Sequence, residues 1–357
     1  MTRWRWGLSV LLVIGIGVPA GMPFVDLLRH PEGFQSWREL NRLGALAGNT
    51  LGLMLGTVAL ALPVGTVLAI LLFRTDLPGR RFFRFLTVLA LFVPLPLLVT
   101  AWQSMAGAGG WLPINGAATV WKPWVQGIPA AIWIHTMAGL PWVILIAGLG
   151  LRWVEKELEE DALTATGPWR VLWHVTIPRC RTAIWAAGLW VALQTATEIS
   201  ATDMMQVRTF AEEVYLQLVE GGPSAIAASV AVAVPALVLT GLLVAAVAGR
   251  LGRQLPPLEN ITRAPLQFHL GMSRWLCFLA VLATVMVLMG VPVASLIWRT
   301  GLAGSPPAWS LATFERYLLR AVHSHGWTLL RSVGAAGVAG SMTAFLALFA
   351  CWLAQQP

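Results

Sequence analysis

Five acids crowd a short stretch at Glu155, Glu157, Glu159, Glu160 and Asp161. Small residues follow, including Ala162 and Ala165. Then come Gly167-Pro168 and the run Trp169-Arg170-Val171-Leu172-Trp173-His174-Val175-Thr176-Ile177-Pro178. Acids at a helix start suit the positive end of its dipole. Gly-Pro ends that helix and opens the next. Trp169, Leu172 and Trp173 fall on one helical face. The spacing predicts two short helices, one acidic at its start and one with an aromatic stripe. Such a stripe either docks in a partner's groove or lies on a lipid surface.

A second polar group, Glu198, Ser200, Thr202 and Asp203, lies at the end of an apolar run. Ionisable residues inside membrane spans are functional candidates. Here they can line a translocation path, and the acids have the right sign for a cation. The alternative is hydrogen bonding to a neighbouring helix. His135 stands alone six residues before Pro141 and reads as a packing histidine. His323 and His325 flank Ser324 in an expected outer loop, two nitrogens without a third ligand. Cys180, Cys277 and Cys351 are scattered and form no metal motif. A phosphate-binding loop needs Gly-Lys-Ser or Gly-Lys-Thr, whereas Lys122 precedes Pro123 and Lys156 precedes Glu157. No nucleophile–base set stands out. The expectation is a non-enzymatic chain with no catalytic residue, metal or cofactor.

These residues must be held by membrane helices. Of 357 residues, 57% are hydrophobic and 11% charged, with mean hydropathy +0.72. Soluble domains carry about 25% charge, so a cytosolic enzyme, a secreted disulfide scaffold and a disordered tail are excluded. The long unbroken apolar runs also argue against a β-barrel. The fold class expected is an all-α polytopic membrane protein of about eight transmembrane helices. They are 6–28, 50–73, 83–106, 128–154, 182–205, 225–248, 275–298 and 328–354. Pro94, Pro96 and Pro141 break the third and fourth. All basic residues except Lys122 and Lys156 are arginine, and the net charge is +8. Nucleic-acid binding is the weaker reading of that excess. In a membrane protein it marks topology and contact with membrane lipid. The basic residues divide fifteen to eight in favour of N-in and C-in.

The segment 251–274, with Pro256, Pro257 and Pro265, is the best internal boundary. It divides a first unit, 1–250, carrying the cytoplasmic loop 152–181, from a second unit, 275–357. Asn49-Thr50-Leu51 opening the second span resembles Arg331-Ser332-Val333 near the start of the eighth. The second unit then reads as an incomplete repeat of the first, as a truncated or split chain would.

The stretch ending in Val175-Thr176-Ile177-Pro178 resembles the EAA loop of permease subunits from binding-protein-dependent, type I ABC importers. Anchored on Pro178, that pattern places its Gly at Ala165 and its Glu at Glu159, with Glu160-Asp161 where alanines are usual. Anchored on Gly167, it starts at Asp161-Ala162. Gly-Pro-Trp-Arg-Val-Leu-Trp, and the later run Thr197 to Asp203, are similar to ferric-iron-type permeases, usually fused chains of two six-helix halves. The resemblance implies a coupling loop of Glu159, Glu160, Asp161, Ala162, Ala165, Gly167, Trp169, Trp173 and Pro178, seated on a cytoplasmic dimer of separate ATP-binding subunits. It also implies a periplasmic substrate-binding protein, a second permease half and a bacterial inner-membrane location. Ferric iron is the first substrate expectation, beside thiamine, polyamine, sulfate and phosphonate. A gradient-driven secondary transporter and an inactive membrane fragment are the other readings.

Overall fold

The computed structural model describes residues 6–7, 10–11, 13–107, 110–112, 126–220, 224–254, 265–304 and 308–354. Expectations resting on Arg3, Arg5, Lys122, Pro256, Pro257 and Arg263 lie outside those residues. The described residues fold as helices with one antiparallel pair of two-residue strands, Leu302–Ala303 against Ala308–Trp309. A π-helical turn, Val13–Gly17, leads into α1 (Val18–Arg29), and a 3₁₀ stretch leads to α2 (Leu40–Arg74). Next come α3 (Arg80–Ala90), α4 (Leu95–Ala106) and α5 (Gly127–Arg152). The loop region holds α6 (Lys156–Ala165) and α7 (Pro168–Val171), which passes through the π-helical turn Leu172–Thr176 into α8 (Ile177–Thr197). Then follow α9 (Ser200–Met204), α10 (Phe210–Glu220) and α11 (Ala225–Gln254). The last part holds α12 (Arg274–Val285), a π-helical turn Met286–Gly290, α13 (Val291–Gly301) and α14 (Leu311–Ala354).

The core is the packing of α2, α5 and α8. Helix α5 is apolar on all sides, as a helix surrounded by others must be, and its most apolar window is 67% buried. Close approach depends on absent side chains. A Cβ on Gly65 would fall 2.6 Å from Val143 Cβ, nearer than side-chain atoms sit. Ala61, Val143, Ala187 and Val191 then interlock at the three-helix contact. At one end, the Arg42 guanidinium donates to both Glu213 oxygens at 2.8 and 2.7 Å. Asn49 Nδ2 donates to the Arg208 carbonyl, and Phe210 N–H donates to Thr50 Oγ1. The Asn-Thr pair of the second span thus ties α2 to the segment after α9.

The polytopic all-α class stands, and the spans differ from the sequence reading in their breaks. Five helical stretches are long and apolar enough to cross a membrane: 40–74, 127–152, 225–250, 271–301 and 311–352. The third expected span is two helices, α3 and α4, bent by 103°. Pro94 and Pro96 cause that break, since neither supplies an N–H to continue the ladder. The first expected span, and the fifth as helix α8, are helical but fall outside that set among the described residues. The fifth also ends earlier than expected, at Thr197, and restarts at Ser200. His323 and His325 lie inside α14 rather than in a loop, two apart and so on different faces. Helix α14 has no buried part in its apolar window.

Candidate coupling loop and membrane cavity

The acidic segment folds as expected into a short helix, α6, with Glu157 and Glu159 in its first turn. Thr166 ends it, and Pro168 opens α7 behind Gly167. The aromatic stripe divides by burial. Val171 and Leu172 are buried, whereas Trp169 and Trp173 are 61% and 63% exposed. Glu160, Asp161, Ala165, Gly167 and Pro178 are also exposed, and Ala162 is half-buried.

Glu159 differs from the rest of its segment. It is wholly buried and pairs with the equally buried Arg74 at the C-terminal end of α2. Arg74 Nη1 donates to the Leu151 carbonyl at 3.0 Å, and Thr176 Oγ1 donates to Glu159 Oε1 at 2.6 Å. The Arg74–Glu159 pair therefore joins the end of α2, the end of α5 and both sides of the loop. The register anchored on Pro178 puts the pattern's Glu on this residue, which faces inward and not toward a partner.

A strap from the end of the 251–274 segment lies across the same place. Phe268 N–H donates to the Arg74 carbonyl at 2.7 Å, and its ring sits 5.6 Å from the Arg74 guanidinium. Phe268 packs with Val171 and Leu172. Trp169, Trp173, Phe268, Leu270 and Leu276 line an apolar groove of about 430 Å³. Beside it, Asp76 accepts the Leu270 N–H at 2.9 Å and lies 3.2 Å from His269 Nδ1. The Leu270 N–H, and after it His269, hold the Asp76 carboxyl below its ordinary value against the opposing effect of burial. A depressed carboxylate stabilises the fold above its unfolded pKa of about 3.9 and loses that contribution as pH falls through the folded value. A spin label at exposed Gln267, in a background lacking Cys277 and Cys351, is expected to gain mobility as pH drops below about 4. D76N is expected to remove that pH dependence, and an unchanged profile in D76N would exclude Asp76 as its source.

Of the second group, Glu198 and Ser200 line a cavity of about 550 Å³. Its wall includes Pro94, His135, Gln194, Thr195, Glu198 and Ser200. The break between α3 and α4 opens one side of it, and the break between α8 and α9 opens the other. Glu198 accepts the N–H groups of Ser200 and Ala201, both at 2.8 Å, and so caps α9. Its Oε2 lies 3.6 Å from His135 Nε2. His135 is buried, and its Nδ1 donates to the Ala131 carbonyl at 2.8 Å, which leaves Nε2 facing the carboxylate. The sequence reading treated His135 as packing alone; its place against Glu198 depends on helix contacts that no local spacing reveals. Asp203 is exposed on α9 and is not among the cavity's lining residues. Among the described residues no group of three or more His, Cys, Asp or Glu could hold a metal ion.

No family model matches the chain. Over 211 residues, 57% of its length, the chain is 25% identical to the Fe(3+)-transport system permease protein FbpB 2 of Haemophilus influenzae. The match spans 38% of that relative, well under two thirds of its length. The shared stretch, the apolar helices and the loop together place the protein. The chain is a multi-pass protein of the bacterial inner membrane, and over the matched 211 residues it is similar to a ferric-iron transport permease.

Proposed function

We propose that the chain is a non-enzymatic permease subunit of an ABC importer. It couples ATP hydrolysis in a separate cytoplasmic ATPase dimer to passage of a substrate delivered by a periplasmic binding protein. Ferric iron is the proposed substrate, following the name of the Haemophilus relative. The observation that carries this reading is the two-sided loop. Glu159 fastens it to the bundle through Arg74, while Trp169 and Trp173 stand exposed on its outer face. A loop held rigidly on one side and apolar on the other can convert a push on its outer face into movement of α2 and α5. Glu160, Asp161, Ala162, Ala165, Gly167 and Pro178 shape that face.

The proposed organisation is two units, 1–250 and 275–357, joined by 251–274. One local feature supports it. In each unit a π-helical turn runs into Gly-Val-Pro, at Gly17-Val18-Pro19 and at Gly290-Val291-Pro292. A connector and a long helix, α2 or α14, follow in both.

W169A/W173A in the assembled complex is expected to lower substrate-stimulated ATP hydrolysis and transport at least ten-fold, with the melting temperature nearly unchanged. Apolar anchors of this size typically carry 2 kcal/mol or more of a docking energy. Normal coupling in that variant would overturn the assignment of the loop. The His135–Glu198 pair favours a second reading, a carrier driven by an ion gradient. Uptake into vesicles without ATP, driven by an imposed gradient, would select that reading instead.

A further inference from the structure

The wall of the cavity beside Glu198 is a set of hydrogen-bond acceptors around one carboxylate. Of its lining residues only Glu198 and His135 are titratable. His135 backs the carboxylate, with Nε2 closed off from the cavity and without a hydrogen-bond partner. The Glu198 side chain keeps 15% of its surface exposed. One oxygen accepts the Ser200 N–H and the other the Ala201 N–H, so each retains a further lone pair. Thr197 Oγ1 donates to the Leu193 and Gln194 carbonyls at 2.9 and 3.4 Å, which leaves its oxygen free to accept. Gln194 and Ser200 add an amide and a second hydroxyl, and Trp142 and Val191 belong to the apolar remainder of the wall.

This set does not suit a bare metal ion. Protein sites that cage an ion supply about four to eight ligand atoms. Among the described residues no group of three or more His, Cys, Asp or Glu could hold one, and this cavity offers a single carboxylate. Size points the same way. Six waters around an ion, at roughly 30 Å³ each, fill about a third of the 550 Å³ enclosed, whereas a bare ion would leave nearly all of it empty. A cation also polarises its bound ligands and makes them stronger hydrogen-bond donors. Such donors match a wall of acceptors.

We propose that the cavity takes its cargo as a cation inside an intact shell of water or other hydrogen-bond-donating ligands. The shell donates to Glu198, Gln194 and Thr197, and the protein does not coordinate the ion. This rests on the cation-transport reading above and names the form in which the cation passes. Contacts through a shell are weak enough to release the ion again, as conduction requires.

The probe that tests this is hexaamminecobalt(III), a trivalent cation whose ammonia ligands do not exchange, so that it binds through its N–H groups or not at all. Titration calorimetry is run on the full-length chain in nanodiscs of phosphatidylcholine, a lipid without net charge. Hexaamminecobalt(III) is expected to bind, and E198Q to weaken that binding at least ten-fold, the scale of a hydrogen bond to a charged group. Q194A, which leaves the α9 cap in place, is expected to weaken it about three-fold. E160Q/D161N removes two exposed carboxylates from α6 and is expected to bind as the parent does. Unfolding midpoints for each variant separate lost binding from lost fold. Lanthanum(III), which exchanges its waters freely, is the comparison. Glu198-dependent binding of lanthanum without binding of hexaamminecobalt(III) would overturn the intact shell and leave the cation reading standing. Glu198-dependent binding of neither would overturn both. An E198Q-sensitive affinity for n-butylammonium equal to that for hexaamminecobalt(III) would assign the cavity to organic amines instead. A loss in E160Q/D161N equal to that in E198Q would reduce the effect to surface charge and overturn the site.

Discussion

Truncating Glu159 to alanine is expected to cost about 3–5 kcal/mol of stability and to release the proposed coupling loop from the bundle. The reason is the state of the partner left behind. Arg74 is wholly buried at the end of α2, and its guanidinium keeps only the Leu151 carbonyl and the face of the Phe268 ring once the carboxylate has gone. An unpaired buried charge is far more costly than the pair it came from is stabilising. That asymmetry gives the experiment a second arm. R74L/E159L removes both charges together and is expected to be much less destabilised than either single variant. The two changes are then strongly non-additive, as contacting residues are. Thermal and chemical unfolding in detergent, run on both singles and the double, measures the coupling. Additive losses would show that the two groups do not act as a pair. Thr176 loses its acceptor in the same variant, so the α8 side of the loop is freed as well. In the proposed complex with an ATPase dimer, E159A is therefore expected to lower transport more than ATP hydrolysis, although Glu159 is wholly buried.

Arg74 also shows where reading a sequence runs out. It was legible as an arginine ending an apolar run, which is how topology signals look. Its partner lies 85 positions away, and nothing in local spacing joins the two. The acidic segment, the Gly-Pro break and the aromatic stripe were readable because short-range helix rules govern them. Which acid turns inward was not, because the α2–α5 contact decides it. The same division holds at α3. Pro94 and Pro96 announced a break, but not a 103° bend, and Arg80 to Arg84 read as a loop's topology charges rather than as the start of a separate short helix. The paired strands after α13 left no mark in the apolar pattern, being only two residues each. The cavity was half legible. Glu198 stood out as an acid in an apolar run, while His135 was hidden because a lone histidine in a helix ordinarily means packing.

Replacing Glu198 by glutamine is expected to leave the protein folded and to reduce transport at least ten-fold. The carboxylate does two things that this substitution separates. As a cap it accepts the Ser200 and Ala201 N–H groups. Glutamine keeps one acceptor oxygen, so the capping loss should fall near the lower end of the usual 0.5–2 kcal/mol. As a charge it faces His135 Nε2 across 3.6 Å at the cavity wall, and glutamine abolishes that entirely. E198A removes both contributions and should lower the melting temperature further without a matching further loss of transport. Uptake by the reconstituted complex, set against unfolding midpoints for E198Q, E198A and H135Q, distinguishes the two contributions. Pathway lining predicts that E198Q and H135Q impair transport out of proportion to their stability. A purely structural cap predicts full uptake in E198Q and a loss in E198A that tracks its melting temperature. Because the breaks at Pro94 and at residues 198–199 open the two sides of this one cavity, the charge sits where both helix interruptions meet. Helix interruptions that line one cavity are the arrangement that the proposed transport reading requires.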